Sequence, residues 1–178
     1  PNSEDFHLGS DDWTIETWAR NDSGFSGSQQ WLVIWRDAAA SEECSPGHCH
    51  FQPGYSSGSG ICIAWRSATG SYPVYSSDLP ADGAWFHLAA VRSGSTLTVY
   101  LDGQEMASVG IGGGAPNLDD PLYLGAVHNS TSAGLRYFWD GAMGPVRISS
   151  TARYTSDFSP AVTWTSDSST VALWALDD

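Results

Sequence analysis

Apolar and polar residues alternate over Trp13–Arg20 (WTIETWAR), the two-residue period of a strand with one buried face. Trp31–Arg36 (WLVIWR) is almost continuously apolar, as a strand covered on both faces would be. Ile61–Arg66 (ICIAWR), Trp85–Arg92 (WFHLAAVR) and Thr96–Leu101 (TLTVYL) read as further strands. Asp102-Gly103 separates TLTVYL from QEMASV. An Asp-Gly pair between two such runs predicts a tight hairpin, because both turn residues must tolerate positive φ. Leu122–Val127, Pro145–Ser149 and Val171–Leu176 complete the set. Helical periodicity is almost absent, and Ser150–Phe158 reads as a turn or one short helical turn. Asp37–Gly60 and Gly110–Asp120 read as long connectors, rich in Gly, Ser and Pro.

Many short strands between frequent turn signals predict an all-β sandwich or barrel. Adjacent stretches do not repeat, which excludes a propeller or solenoid. A length of 178 residues fits one domain spanning 1–178. Hydrophobic residues make up 41% of the chain, enough for a core, so wholesale disorder is excluded. The net charge of −13 changes the picture of partners. All seven basic residues are arginine, and so acidic a chain is repelled by nucleic acid and by anionic membranes. No apolar run approaches the ~18 residues of a membrane span, so membrane insertion is not expected. The chain starts at Pro1 without a basic and apolar leader, which suggests a processed chain or a fragment.

Four segments resemble laminin G-like domains of the concanavalin A-like lectin and glucanase superfamily. DDWTIETWAR resembles their Thr-Ile-Glu-x-Trp strand. WFHLAAVRSGSTLTVYLDGQEMASV resembles their Trp-x-His strand and Asp-Gly hairpin. PLYLGA resembles the following Leu-x-Leu-Gly strand. FWDGAMGPVRISSTARYTSDFSP resembles the closing Arg-Ile strand, Ala-Arg-Tyr-Thr turn and Phe-x-Pro. The resemblance implies a two-sheet antiparallel jelly-roll sandwich. It also implies core packing for Trp13, Trp18, Trp85 and Trp174, and a structural place at the sheet face for His87. Two features depart from it. The closing segment Gly141–Val146 lacks the acidic pair that such domains commonly carry, and with it any part that pair plays in placing a metal or a strand. About a dozen residues precede Trp13, too few for the usual opening strands, whereas TVALWALDD at 170–178 looks like that opening strand. Either the strand order is permuted to the C-terminus, or the tail begins a further unit. Because open edges expose unpaired backbone groups, Val171–Leu176 is expected to pair with Val146–Ser149.

Glucanases of this superfamily place alternating acids on one strand, where they flank a glycosidic bond. No Glu-x-Asp-x-Glu is present, and Glu16 has no acid two residues away. A glycoside hydrolase is therefore disfavoured, and the chain is expected not to be an enzyme. The resemblance implies a rim calcium held by carboxylates and loop carbonyls, for which Asp119, Asp120, Asn117, Asp11 and Asp12 are the candidates. Turn formation explains the same acids equally simply. Cys44, Cys49 and His50 could form part of a zinc site, but no second cysteine pair exists. In an exported protein a Cys44–Cys49 disulfide is the expectation, with Cys62 a buried thiol. The competing pairing joins Cys62 to Cys44 or Cys49.

Trp31 and Trp35 share one strand parity and, with Trp65, could form an aromatic platform flanked by Arg36 and Arg66. If that face is instead the core, they are packing. Asn21-Asp22-Ser23 and Asn129-Ser130-Thr131 are sequons, of consequence only in a glycosylating host. The expected function is a non-catalytic recognition or adhesion module, secreted or on a virion surface, that binds a glycan or a surface protein. A structural or assembly protein, self-associating through sheet edges, is the second reading.

Overall fold

The computed structural model describes residues 8–22, 32–35, 49–53, 61–67, 70–75, 80–112, 122–128, 134–136 and 138–176. Among these, no helix is present, and so none long and apolar enough to cross a membrane. The strands are β1 (Trp13–Asn21), β2 (Val33–Trp35), β3 (Cys49–Pro53), β4 (Ile61–Ser67), β5 (Gly70–Tyr75), β6 (Trp85–Ser93) and β7 (Thr96–Leu101). They continue with β8 (Gln104–Gly110), β9 (Leu122–Leu124), β10 (Val127–His128), β11 (Leu135–Arg136), β12 (Gly141–Ser149) and β13 (Thr170–Trp174). One antiparallel sheet has the order β13-β12-β1-β6-β7-β8, the other β5-β4-β3-β2-β9, and β10 pairs with β11 alone. This is the jelly-roll sandwich that the strand spacing and the family motifs predict.

The core lies between the two sheets. Trp13, Ile15 and Ala19 of β1, Phe86, Leu88 and Ala90 of β6, and Leu97 and Val99 of β7 point into it with Val146 and Ile148 of β12. Leu32, Ile61, Ile63 and Val74 meet them from the second sheet. The alternation read from the sequence therefore selects the right inner face. It misses that the polar face of β1 is also buried. Thr14 and Glu16 are wholly inaccessible to solvent, because the irregular segment 150–169 crosses the outer face of the six-stranded sheet as a strap. The strap brings bends but no helical turn.

Polar groups along the strap tie it down at several points. Thr14 Oγ1 donates to the Thr151 carbonyl (2.8 Å) and accepts from the Arg153 N–H (2.9 Å). Trp18 Nε1 donates to the Ala161 carbonyl (3.0 Å). The Phe158 N–H donates to the Gly103 carbonyl (2.8 Å). Arg153 grips Asp167 through two N–H groups (2.8 and 2.9 Å) and reaches Ser149 Oγ. The hydrogen bonds from Arg153, followed by that from Thr170, hold the Asp167 carboxyl well below the usual carboxylate range.

β13 closes the sheet as expected: Val146 pairs with Trp174, Arg147 with Leu173 and Ile148 with Ala172. The hairpin at Asp102-Gly103 is also as expected, with φ of 50° and 78° at the two turn residues. The connector expected over Asp37–Gly60 contains β3, and a strand over Gly70–Tyr75 was not anticipated. In both strands the turn formers interrupt the strand formers, Pro53 beside Phe51 and Gly70, Ser71 and Pro73 among Tyr72, Val74 and Tyr75, and pairing with β4 decides the outcome. Core packing was expected for four tryptophans, and Trp85 contradicts it. It is 47% exposed, because its parity with His87 places it on the outer face and the strap stops short of it. Trp18 is also on that outer face, half-buried under the strap, whereas Trp13 is a core residue and Trp174 packs partly buried against the core from the edge strand. Asn21, the first residue of one sequon, is buried, which removes it as a glycan acceptor in the folded chain.

Candidate functional site

The strap and sheet enclose one polar cluster, centred on Glu16. β1 contributes Glu16, β6 His87, β12 Arg147 and the strap Tyr154. Glu16 lies opposite Arg147 on one neighbouring strand and Ala89 on the other, one position along from Leu88 and two from His87. Arg147 Nε donates to Glu16 Oε1 (2.7 Å), and its Nη2 contacts the same oxygen (2.6 Å). His87 Nε2 lies 3.0 Å from Oε2, and the Tyr154 hydroxyl donates to that oxygen at 2.9 Å. An ionised carboxylate can only accept, so Nε2 is the protonated ring nitrogen of His87 in this bond. His87 Nδ1 has no partner among the described residues. The ring is thus set by one hydrogen bond and by edge contacts to Trp18, Tyr154, Phe158 and Trp164. Tyr154 stacks on Phe158 with ring centroids 3.5 Å apart, and Arg147 sits 4.8 Å over the Trp164 ring.

Burial by itself pushes the Glu16 carboxyl up. The hydrogen bonds and charges of His87 and Arg147, the His87 hydrogen bond first among them, together outweigh it and hold the group below the usual carboxylate range. Burial, then the Glu16 charge, pushes the Tyr154 hydroxyl above its ordinary range. A carboxyl depressed in the folded chain adds stability above the unfolded value of 4.5, and that stability is lost as pH falls toward the folded value. Melting temperature is therefore expected to be insensitive to this group above about pH 6 and to fall below about pH 4.5. Glu16→Gln should flatten that acid limb, and melts across pH 3–7 check it; an unchanged limb would place the acid sensitivity elsewhere.

Chemically the cluster is closed. Both Glu16 oxygens accept from protein donors and the side chain is wholly buried, so it offers no oxygen to a glycosidic bond. Its parts lie 71, 131 and 138 residues apart in sequence. The sequence marks each of them as a motif position, but only the strand order brings them together. His87 has the structural place that its motif implies.

Most residues read from the sequence as sites fall elsewhere. Asn117, Asp119, Asp120, Trp31, Arg36 and Cys44 lie outside the described residues. Asp11 and Asp12 are exposed at the turn before β1. Asp12 Oδ1 accepts from the Gly94 N–H (2.6 Å), a long-range tie from the segment before β1 to the β6–β7 hairpin. No third His, Cys, Asp or Glu joins them among the described residues, so this pair alone does not make the oxygen-rich shell that calcium needs. Trp35 is placed opposite Leu122, and Trp65 opposite Cys49 and Tyr72. Trp65 has the strand parity of the buried Ile61 and Ile63, whereas Arg66 has the other parity. Cys49 and Cys62 stand three register positions apart on β3 and β4, since Cys62 pairs with Gln52. Three positions are roughly 10 Å, beyond disulfide reach, which removes that pairing.

A sandwich of two antiparallel sheets, closed by the Thr-Ile-Glu-x-Trp and Trp-x-His strands and the Arg-Ile strand, defines the concanavalin A-like class. The chain belongs to the concanavalin A-like lectin/glucanases superfamily, whose laminin G-type family model matches residues 2–157. No curated protein matches it in sequence. Among solved structures, a candidate carbohydrate binding protein from Bacteroides ovatus is 16% identical with a TM-score of 0.58. The match covers 82% of this chain and 39% of that one. The CBM40 module of the Ruminococcus gnavus IT-sialidase is 12% identical with a TM-score of 0.59, over 83% of this chain and 80% of the module. Domains LG4-5 of the mouse laminin alpha1 chain are 16% identical with a TM-score of 0.56, over 89% of this chain and 44% of that one. At such identities the likeness is one of fold.

Proposed function

We propose that the chain is a non-catalytic recognition module, acting outside the cell, whose partner is a glycan. The observation that supports it is the closed Glu16 cluster: the buried carboxylate at the centre of the sheet is committed to holding the strap and is withheld from chemistry. The fold is shared with the CBM40 module, which has been solved with sialyllactose bound, and with the candidate carbohydrate binding protein from Bacteroides ovatus. A rim calcium held by Asp119, Asp120 and Asn117 with loop carbonyls is part of the proposal, and such an ion would fix the loops and take a ligand hydroxyl as a further oxygen ligand. On the five-stranded sheet the proposed contact draws on Arg66, with Trp31 and Arg36 flanking β2 in sequence. Trp35 and Trp65 hold the register positions given above.

The test is a glycan array probed with the chain in calcium and in chelator. Retention on a defined glycan class is the expected result, and a loss of at least tenfold in chelator is the expected mark of the ion. Retention that chelator leaves unchanged would remove calcium from the proposal. Silence in both arms would favour a structural or assembly protein instead.

A further inference from the structure

The strap covers only part of the outer face of the six-stranded sheet. It lies over the Glu16, His87 and Arg147 positions and passes beside Trp18 at Ala161. Beyond that point, the row formed by Trp85 of β6, Arg20 of β1 and Ala142 of β12 reaches solvent. Trp85 is the only exposed tryptophan among the described residues.

Its setting is built rather than incidental. The Arg20 guanidinium stands over the indole, 5.6 Å from the ring centroid. Arg20 in turn is fixed by a two-pronged hydrogen bond to Asp22, Nε at 2.7 Å and Nη2 at 3.0 Å. Such a fork orients a guanidinium while leaving further N–H donors for a ligand. The pairing of β1 with β12 is irregular between Thr17 and Ala19, one extra residue falling on β12 beside Gly144. Bulges of this kind re-aim neighbouring side chains. A Cβ on Gly144 would lie 3.0 Å from Trp18 Cβ and 3.4 Å from Trp85 Cζ3, so the glycine lets both indoles sit close over β12.

We propose that Trp85, Arg20 and Asp22 form a saccharide subsite on the outer face of the six-stranded sheet, for a neutral sugar residue. The inference rests on the glycan reading above and adds a second contact to it, on the other sheet. A sugar ring offers an apolar C–H face and a rim of hydroxyls. The indole supplies the surface for the first, and the Arg–Asp pair supplies a donor and an acceptor for adjacent hydroxyls. The pair is neutral as a unit, so it offers an anionic sugar no net positive charge, and the chain as a whole carries a net charge of −13. A protein partner is less suited, because a stable protein interface buries about 800 Å² on each side, and Trp85 is the single large apolar group in this row.

The test is an NMR titration of the ¹⁵N-labelled chain, with the Trp85 indole signal assigned through Trp85→Phe. The probes are neutral arabino-, xylo-, manno- and gluco-oligosaccharides, with α2,3-sialyllactose as the acidic comparison. A saturable shift of the Trp85 signal with a neutral probe is expected. Trp85→Ala should weaken binding roughly tenfold or more at unchanged melting temperature, and Arg20→Gln a few-fold. Binding that leaves the Trp85 signal still and survives Trp85→Ala would overturn the subsite but keep the recognition reading. A Trp85 response to sialyllactose in preference to every neutral probe would overturn the neutral class. No binding to any glycan on the array or to any probe would overturn the subsite and the recognition reading together. Capture of a protein through Trp85, with all saccharides silent, would overturn the saccharide subsite and the glycan as partner.

Discussion

Glu16→Ala is expected to destabilise the chain by about 3–5 kcal/mol, the range found when one partner of a buried ion pair is removed. In a domain of this length that lowers the melting temperature by roughly 10 °C. The cause is what the substitution leaves behind. Arg147 keeps its charge beneath the strap without an anion, while the Tyr154 hydroxyl and His87 Nε2 lose their acceptor. Glu16→Gln should cost less, because the amide oxygen still accepts, but its NH₂ would be set against one of the existing donors. Denaturant melts of both variants give the comparison. A Glu16→Ala variant as stable as the wild type would show that the strap is held without the carboxylate.

Gly103→Val is the second large effect, and it reaches the strap from the other end. Gly103 sits at φ 78° in the β7–β8 hairpin, and a Cβ there would collide with the Phe158 carbonyl and crowd Pro160 Cδ. Backbone strain at such a φ costs about 1–3 kcal/mol for a side-chain-bearing residue, and overpacking costs about as much again. Relief by moving the strap would break the Phe158 N–H bond to the Gly103 carbonyl and the Glu105 N–H bond to Asp157. The total expected loss is roughly 2–6 kcal/mol, with faster proteolysis between 150 and 169. Gly94→Ala is the control: its φ is 57° but nothing lies within 4 Å of the added Cβ, so only the backbone term of about 1 kcal/mol applies. Equal losses for the two variants would mean that contact with Phe158 contributes nothing.

The sheet elements were legible in the sequence where strands are long and apolar. β1, β6 and β7 carry the period-two signal and a turn dipeptide between strands, and those are local properties. β3 and β5 were not legible, because Pro53 in β3 and Gly70, Ser71 and Pro73 in β5 break up the strand formers Phe51, Tyr72, Val74 and Tyr75, and pairing with β4 forms both. The outer face of β1 was misread for a related reason. Thr14 and Glu16 look like solvent-facing positions, and what covers them comes from residues more than 130 positions later. Trp85 was misread in the opposite sense. A tryptophan in a strand is most simply placed inside, and only the end point of the strap decides that it is not. The Glu16 cluster was visible as four separate motif letters. Their convergence is a property of the order β12-β1-β6, which periodicity does not encode.

Recognition without turnover is tested most directly by the glycan itself. The chain is held on an immobilised glycan panel in calcium, and the mass of each retained glycan is read after prolonged contact. Retention of a neutral glycan at unchanged mass is the predicted result. Shorter products released by the wild-type chain, and abolished in Glu16→Gln, would contradict it.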